Sequence, residues 1–327
     1  MKTAFHAGVS GLMAYQQMMD TIGNNIANVN TTGYKTSRVT FQDIFSQTAA
    51  GGTANLGFIG GTNPMQIGLG IKLATVDVLH TPAPIARTDN PFDMMIEGDG
   101  YFIVQNENGD PFYTRAGNFY LDDLGYLVTS HGYYVMGYVG EFTFVPGVEG
   151  TEDDPGPPFV PGDDPIMASL IPGEIDYSQL SRIQLRVDNP DYYPDEIDDP
   201  YEPGYNGAAF IDLLGFSVGQ DGSVSVILNN IKTTIATLGI GMFPNPGGLE
   251  KAGNSLYREG PASGQVVETT ALQNGAGKVN GGGLEMSNVD LATEFTDMIV
   301  TQRGFQANSR IITVSDTMLE ELVNLKR

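Results

Sequence analysis

The chain has no cysteine and no tryptophan, only three histidines, and 16 basic side chains against 39 acidic ones among its 327 residues. Without cysteine there is no disulfide, no thiolate metal ligand and no thiol nucleophile. His6, His80 and His131 stand far apart, in no metal-ligand spacing. A formal charge of −23 repels phosphate backbones and anionic membrane surfaces, so nucleic-acid binding is not expected. No run reaches the ~20 apolar residues of a membrane span. The opening MKTAFHAGVSGLMAYQQMMD lacks the apolar stretch of a cleaved secretory signal. Neither membrane insertion nor signal-peptide export is expected. No nucleophile elbow, phosphate loop, calcium loop or paired-carboxylate signature occurs, so the expectation is a non-enzyme without catalytic residues, metal or cofactor.

What is present is apolar content of 41%, enough for a core, together with 42 glycines and 19 prolines, which favour turns joining short strands. The two ends are different. Phe5, Leu12, Tyr15, Met19, Ile22, Ile26 and Val29 alternate at three and four residues, with Gly8 in the vacant slot. Leu291, Met298, Phe305, Ile312 and Leu319 recur every seven. These are heptad stripes. Ser287 with Asp290 three residues on reads as the cap of a helix over 288–324, roughly 50 Å long. A stripe so narrow is marginal for a lone helix in water, so pairing of the two ends and packing on neighbouring subunits are expected.

Between the ends the period changes to two. Residues 92–104 and 215–228 read as hairpins, about Glu97–Gly100 and Gln220–Gly222 respectively, and the aromatic-rich stretch 111–138 reads as further strands. Residues 141–204 hold 16 acidic groups against Arg182 and Arg186, with 11 of the 19 prolines. The expected fold class is α+β and multidomain. The N- and C-terminal α-helices pair as a coiled-coil-like inner domain (1–32 with 285–327), beside a mainly-β middle (76–140 with 205–284). A Gly-rich extended linker (33–75) and an acidic Pro-rich insert (141–204), a candidate small outer domain, complete the division.

The segment IGNNIANVNTTGYK, 22–35, closely resembles the N-terminal signature of the flagellar hook and basal-body rod protein family, carried by Asn24, Asn25, Ala27, Asn28, Asn30, Thr31, Gly33, Tyr34 and Lys35. NVDLATEFTDMIVTQRGFQANS, 288–309, looks like the family's C-terminal helix, and 92–104 with 113–128 like the opening of its β domain. The resemblance implies a structural subunit that polymerises with itself into a helical tube, terminal helices inside and β domains outside. It also implies partners: rod proteins, hook–filament junction proteins, a hook cap and the flagellar type III export apparatus. The location implied is the flagellar hook and basal body, outside the cell. Within the family the insert and residues 51–70 look most like a hook protein, the flexible torque-transmitting joint between rod and filament; a distal rod protein is the alternative. From a different class, a secreted β-rich adhesin or binding protein stays open. Leu12, Met19, Ile22 and Ile26 with Leu291, Met298, Phe305, Ile312 and Leu319 are the expected assembly interface, the other reading being an ordinary intramolecular core.

Overall fold

Lys2–Ala27 forms α1 and Leu291–Asn324 forms α2 in a computed structural model that describes residues 2–54, 60–144, 170–175, 177, 179–185, 215–228 and 231–325. The chain divides into two units, residues 1–81 with 287–327 and residues 82–286. In the first unit α1 and α2 pack against each other. They run antiparallel, for Gly8 lies beside Ile312, Tyr15 beside Gly304, and Asn25 beside Glu294. The cap of α2 is Asp290 rather than Ser287. Its carboxylate accepts from the Ala292 amide at 3.0 Å and from Thr293 Oγ1 at 2.8 Å, and these bonds hold it below the ordinary carboxylate range. An anion at this end also meets the positive end of the helix dipole. Ser287 Oγ instead accepts from the Val289 amide at 3.3 Å.

The segment expected as an extended linker is paired. Four strands follow α1: β1 (Ser37–Asp43), β2 (Ser46–Ala50), β3 (Met65–Gly68) and β4 (Ile71–Val78). β1 lies antiparallel to β4, from Ser37 opposite Val78 to Asp43 opposite Ile71, with a register shift between Thr40 and Phe41. β2 pairs with β3 further out along the same arm. The β-branched and apolar residues of SRVTFQD and IKLATVDV favour extended pairing, and the glycine density that suggested a linker falls largely between the strands.

In the second unit the strand Tyr134–Phe144 is the hub of the largest sheet. It pairs antiparallel with Tyr101–Gln105, Leu127–Thr129, Leu170–Ile175, Ser181–Arg182 and Ile231–Leu238. Alternation along Tyr101–Gln105 sends Phe102 and Val104 into one apolar cluster and Tyr101 and Ile103 into another, so both faces of this strand are covered. Ring pairs reinforce each cluster: Phe102 against Phe119 at 5.2 Å, Tyr113 against Phe243 at 4.7 Å. The 215–228 hairpin forms as expected, Ser217–Val218 pairing with Ser223–Leu228. The 92–104 hairpin does not: Met94–Glu97 pairs with Lys278–Gly281 and not with Tyr101–Gln105. Gly98 and Gly100 both adopt φ +122°, which turns the chain out of a hairpin path.

Most of the acidic insert, 145–169 and 186–214, lies outside the described residues. Its described central piece joins the hub strand, and Ile183 and Leu185 are buried in the main core. That part of the insert belongs to the β unit itself.

Candidate assembly surface

The asparagine-rich signature is a polar clasp within the first unit. Asn25 is buried on α1. Its Nδ2 donates to the Ser37 carbonyl and to Glu294 Oε1, both at 2.9 Å, while its Oδ1 accepts from the Ser37 amide at 3.0 Å and from the Tyr34 hydroxyl at 3.2 Å. One side chain thus ties α1 to the start of β1 and to the first turn of α2. Asn288, just before α2, ties the segment entering β1 to the one leaving β4: its Oδ1 accepts from the Thr36 amide at 2.7 Å and its Nδ2 donates to the Leu79 carbonyl at 2.8 Å. Buried amides suit such work because each offers donors and an acceptor with no charge to desolvate.

The remaining signature residues shape the exit from α1. Asn28 Nδ2 donates to Asn24 Oδ1 and to the Asn24 carbonyl, closing the last turn, and Asn28 Oδ1 accepts from Thr31 Oγ1. Gly33 has φ +67°, a left-handed conformation that favours glycine. Lys35 is fully buried, its Nζ donating to the Thr81 carbonyl at 2.7 Å. Ala27 and Asn30 stay on the surface. Burial raises the Tyr34 phenol, and burial likewise raises the Glu294 carboxyl against the opposing hydrogen bonds from Asn25 and Thr36.

Of the nine expected interface residues only Ile22 is buried. Leu12, Met19, Ile26, Met298, Phe305 and Ile312 are half-buried, and Leu291 and Leu319 are exposed. The closest approach of the helices uses small residues instead. A Cβ on Gly304 would stand 2.6 Å from the Tyr15 ring, and Gly11 packs on the Asn308 amide. Gly8, Gly11, Ala14, Ile22 and Asn25 make the buried stripe of α1, with Thr301 buried on α2. Counting apolar residues passes over these positions; glycine on α1 opposite a large side chain on α2, and the reverse, was the available signal.

The other side of α2 is open and carries large apolar side chains among polar ones. Phe295, Ile299, Val300, Ile311, Val314 and Met318 are all exposed. On the β arm Phe45 is 89% exposed, with Met65 and Ile67 exposed beside it. So many exposed large apolar side chains on α2 and on the arm mark surfaces for protein contact. Among the described residues there is no group of acidic side chains or histidines placed to hold a metal ion, and no helix is long and apolar enough to cross a membrane.

Three family models match the chain: Flagella basal body rod protein over residues 5–35, Flagellar hook protein FlgE/F/G D1 domain over 95–226, and Flagellar basal body rod FlgEFG protein C-terminal over 280–325. The flagellar basal-body rod protein FlgG of Bacillus subtilis is 40% identical over 329 aligned positions, covering 100% of both chains. The flagellar hook protein FlgE of Borreliella burgdorferi is 30% identical over 443 aligned positions, again covering 100% of both. The solved Helicobacter pylori hook protein FlgE2 aligns with a TM-score of 0.34 at 14% identity, over 63% of this chain and 100% of that one, a likeness that carries no argument. The three models fall in family order on the clasp, the β unit and the open helix, and the end-to-end identity joins them: this chain belongs to the flagellar hook and basal-body rod protein family.

Proposed function

We propose that the chain is a structural subunit of the flagellar basal-body rod that polymerises with itself and with other axial proteins, and that it works outside the cell without catalysis. The observation that carries the rod reading is its alignment with the Bacillus subtilis rod protein: 40% identity over 329 positions for a chain of 327 residues. The hook reading favoured by the insert has its own support in full-length similarity to the Borreliella burgdorferi hook protein. That alignment needs 443 positions, so the hook protein carries much sequence with no counterpart here. Polymerisation is supported by the open apolar face of α2 and by the exposed arm. The coiled-coil-like inner domain and the interface from Leu12 to Leu319 belong to the same proposal.

Two experiments test it. Deleting the gene and imaging isolated basal bodies by electron microscopy shows where the axial tube stops: a tube truncated within the rod supports a rod subunit, and a complete rod without a hook makes the chain a hook protein. Phe305→Asp separates an assembly seam from an ordinary core. A folded, soluble chain that fails to polymerise supports the seam; global unfolding counts against it.

A further inference from the structure

Asparagine precedes glycine at 108–109, 206–207, 274–275 and 280–281. The pair at 206–207 lies outside the described residues. An asparagine in this setting is open to attack by its own main chain: the amide nitrogen of the next residue, once deprotonated, closes a five-membered ring on the side-chain Cγ. Glycine favours the step because no Cβ hinders the approach, and the tether replaces a collision between separate molecules. Two conditions decide which pair reacts. The attacking N–H must not be spent on a hydrogen bond, and water must reach it.

The three described pairs differ in both respects. Asn280 and Gly281 lie in the strand Lys278–Gly281, opposite Met95 and Met94, and Asn280 Nδ2 donates to Glu97 Oε2 at 2.8 Å. A backbone held in that ladder is not free to swing. Asn108 is exposed, but the Gly109 amide donates to the Asn106 carbonyl at 3.2 Å and closes a turn, so its attacking nitrogen is engaged. The pair at 274–275 sits one place earlier in its turn. There the Ala276 amide donates to the Gln273 carbonyl at 2.8 Å, and Asn274 and Gly275 are the two central residues, with φ +49° and +84°. Two positive values define a tight turn that favours Asn-Gly. Its closing bond spans the outer residues, and the Gly275 amide makes no hydrogen bond among the described residues. Both residues are exposed, and apart from its chain neighbours nothing stands within 4 Å of where a Gly275 Cβ would be. The Asn274 carboxamide is held only by a long bond, Nδ2 to Thr269 Oγ1 at 3.3 Å.

We propose that Asn274 is a site of spontaneous deamidation, at which this turn converts itself to aspartate and isoaspartate. The Gly275 nitrogen gives its proton to hydroxide and bonds to Asn274 Cγ. The tetrahedral carbon expels its amide nitrogen, which leaves as ammonia after taking a proton from water, and a succinimide remains. Water opens the ring at either carbonyl, giving aspartate by one route and isoaspartate by the other. The balance is one amide and one water consumed, one carboxylate and one ammonium formed. Isoaspartate inserts a methylene into the main chain where there is no slack: Ala271 and Ala276 are buried in the main core on either side, and the Gly277 amide donates to the Asp99 carbonyl at 2.8 Å. The converted turn is therefore weaker than the parent and adds a charge to a chain already at −23. This chemistry belongs to the β unit alone and needs no partner.

The full chain is held folded at pH 8 and 37 °C, sampled over days and digested with pepsin in acid, where the reaction is slow. Peptide mass spectrometry follows each Asn-Gly pair, and labelling by an isoaspartate methyltransferase identifies the isomer. The 274–275 peptide is expected to convert severalfold faster than those holding 108–109 and 280–281. In guanidinium chloride the three should convert at similar rates, because local sequence alone then governs them. Asn274→Gly keeps a residue that accepts positive φ in the turn and should abolish both the mass change and the label at this peptide. A 274–275 peptide that stays intact in the folded chain while converting in denaturant overturns the proposal, as does equal or faster conversion at 108–109 in the folded chain.

Discussion

Asn25 Nδ2 donates to Glu294 Oε1 at 2.9 Å, joining α1 to α2 across 269 residues of sequence. The same amide holds both backbone groups of Ser37 and the Tyr34 hydroxyl. Asn25→Ala removes every one of these partners at a buried position. The expected loss is about 1–3 kcal/mol, the cost of leaving buried polar groups unpaired. Urea unfolding of the full chain followed by far-UV circular dichroism reads it as a lower midpoint. A midpoint equal to that of the parent would mean that water replaces the amide without loss.

Glu294 provides a pH test of the same clasp. Burial raises its carboxyl above the ordinary 4.5, so the folded chain keeps this proton at pH values where the unfolded chain has released it. Ionised Glu294 therefore opposes folding above its folded pKa, and the opposition fades as pH falls through that value. Asp290 acts in the other direction, but its depressed carboxyl costs stability only once pH falls below its ordinary 3.8. Glu294→Gln keeps an acceptor for Asn25 and Thr36 and carries no charge. It is expected to be at least as stable at pH 7 and to lose the gain on acidification just above pH 4.5, measured as unfolding midpoints across pH 4–7. A clear loss of stability at pH 7 would show that the charge strengthens these hydrogen bonds by more than its desolvation costs.

The helices were legible in the sequence because a seven-residue repeat survives in Met298, Phe305 and Ile312, all half-buried, with Ile312 against Gly8 of α1. The tight part of the seam was not, since close approach depends on the lack of a side chain at Gly11 and Gly304. The signature asparagines could be seen but not their joint role: Asn25 and Asn288 act on backbone groups that folding alone brings near. The alternation at 92–104 was real, yet two left-handed glycines send its halves to different partners. Ile183 and Leu185 stood inside an acidic, proline-rich stretch, and composition concealed that they fill the core of the β unit.

Two glycines of the helix pair should respond in opposite ways to the same change. At Gly8 a new Cβ would sit 3.4 Å from Ile312, an ordinary contact, so Gly8→Ala should gain up to about 1 kcal/mol of helix propensity. At Gly304 the Cβ would meet the Tyr15 ring at 2.6 Å. Overpacking of this kind costs about 1–3 kcal/mol and outweighs the propensity gain. Gly304→Ala should therefore loosen the pair, and combining it with Tyr15→Leu should recover part of the loss. Thermal melts of the three variants give the order, and equal stabilisation by both alanines would place the helices farther apart than described.

Among the described residues of the β unit, Arg115 Nη1 and Glu285 Oε2 form a buried ion pair at 3.4 Å, with both side chains almost wholly covered. Arg115 also donates to the Ile96 carbonyl at 3.2 Å and to the Gly98 carbonyl at 2.7 Å, and stands over the Tyr101 ring. Glu285 Oε1 accepts from the Ala83 amide at 3.2 Å. The pair thus fixes the strand leaving the unit to the segment entering it and to the turn at Gly98. Arg115→Met takes the guanidinium out of this pair, and removing one partner of a buried pair costs about 3–5 kcal/mol. Glu285→Gln keeps an acceptor for Ala83 but strands the guanidinium, and should also be strongly destabilising. The double variant, which removes both charges, should recover much of the loss because two desolvation penalties vanish with the attraction. A double-mutant cycle on urea midpoints measures the coupling; additive losses would mean that the two charges are each solvated by their other partners and that the ion pair contributes nothing of its own.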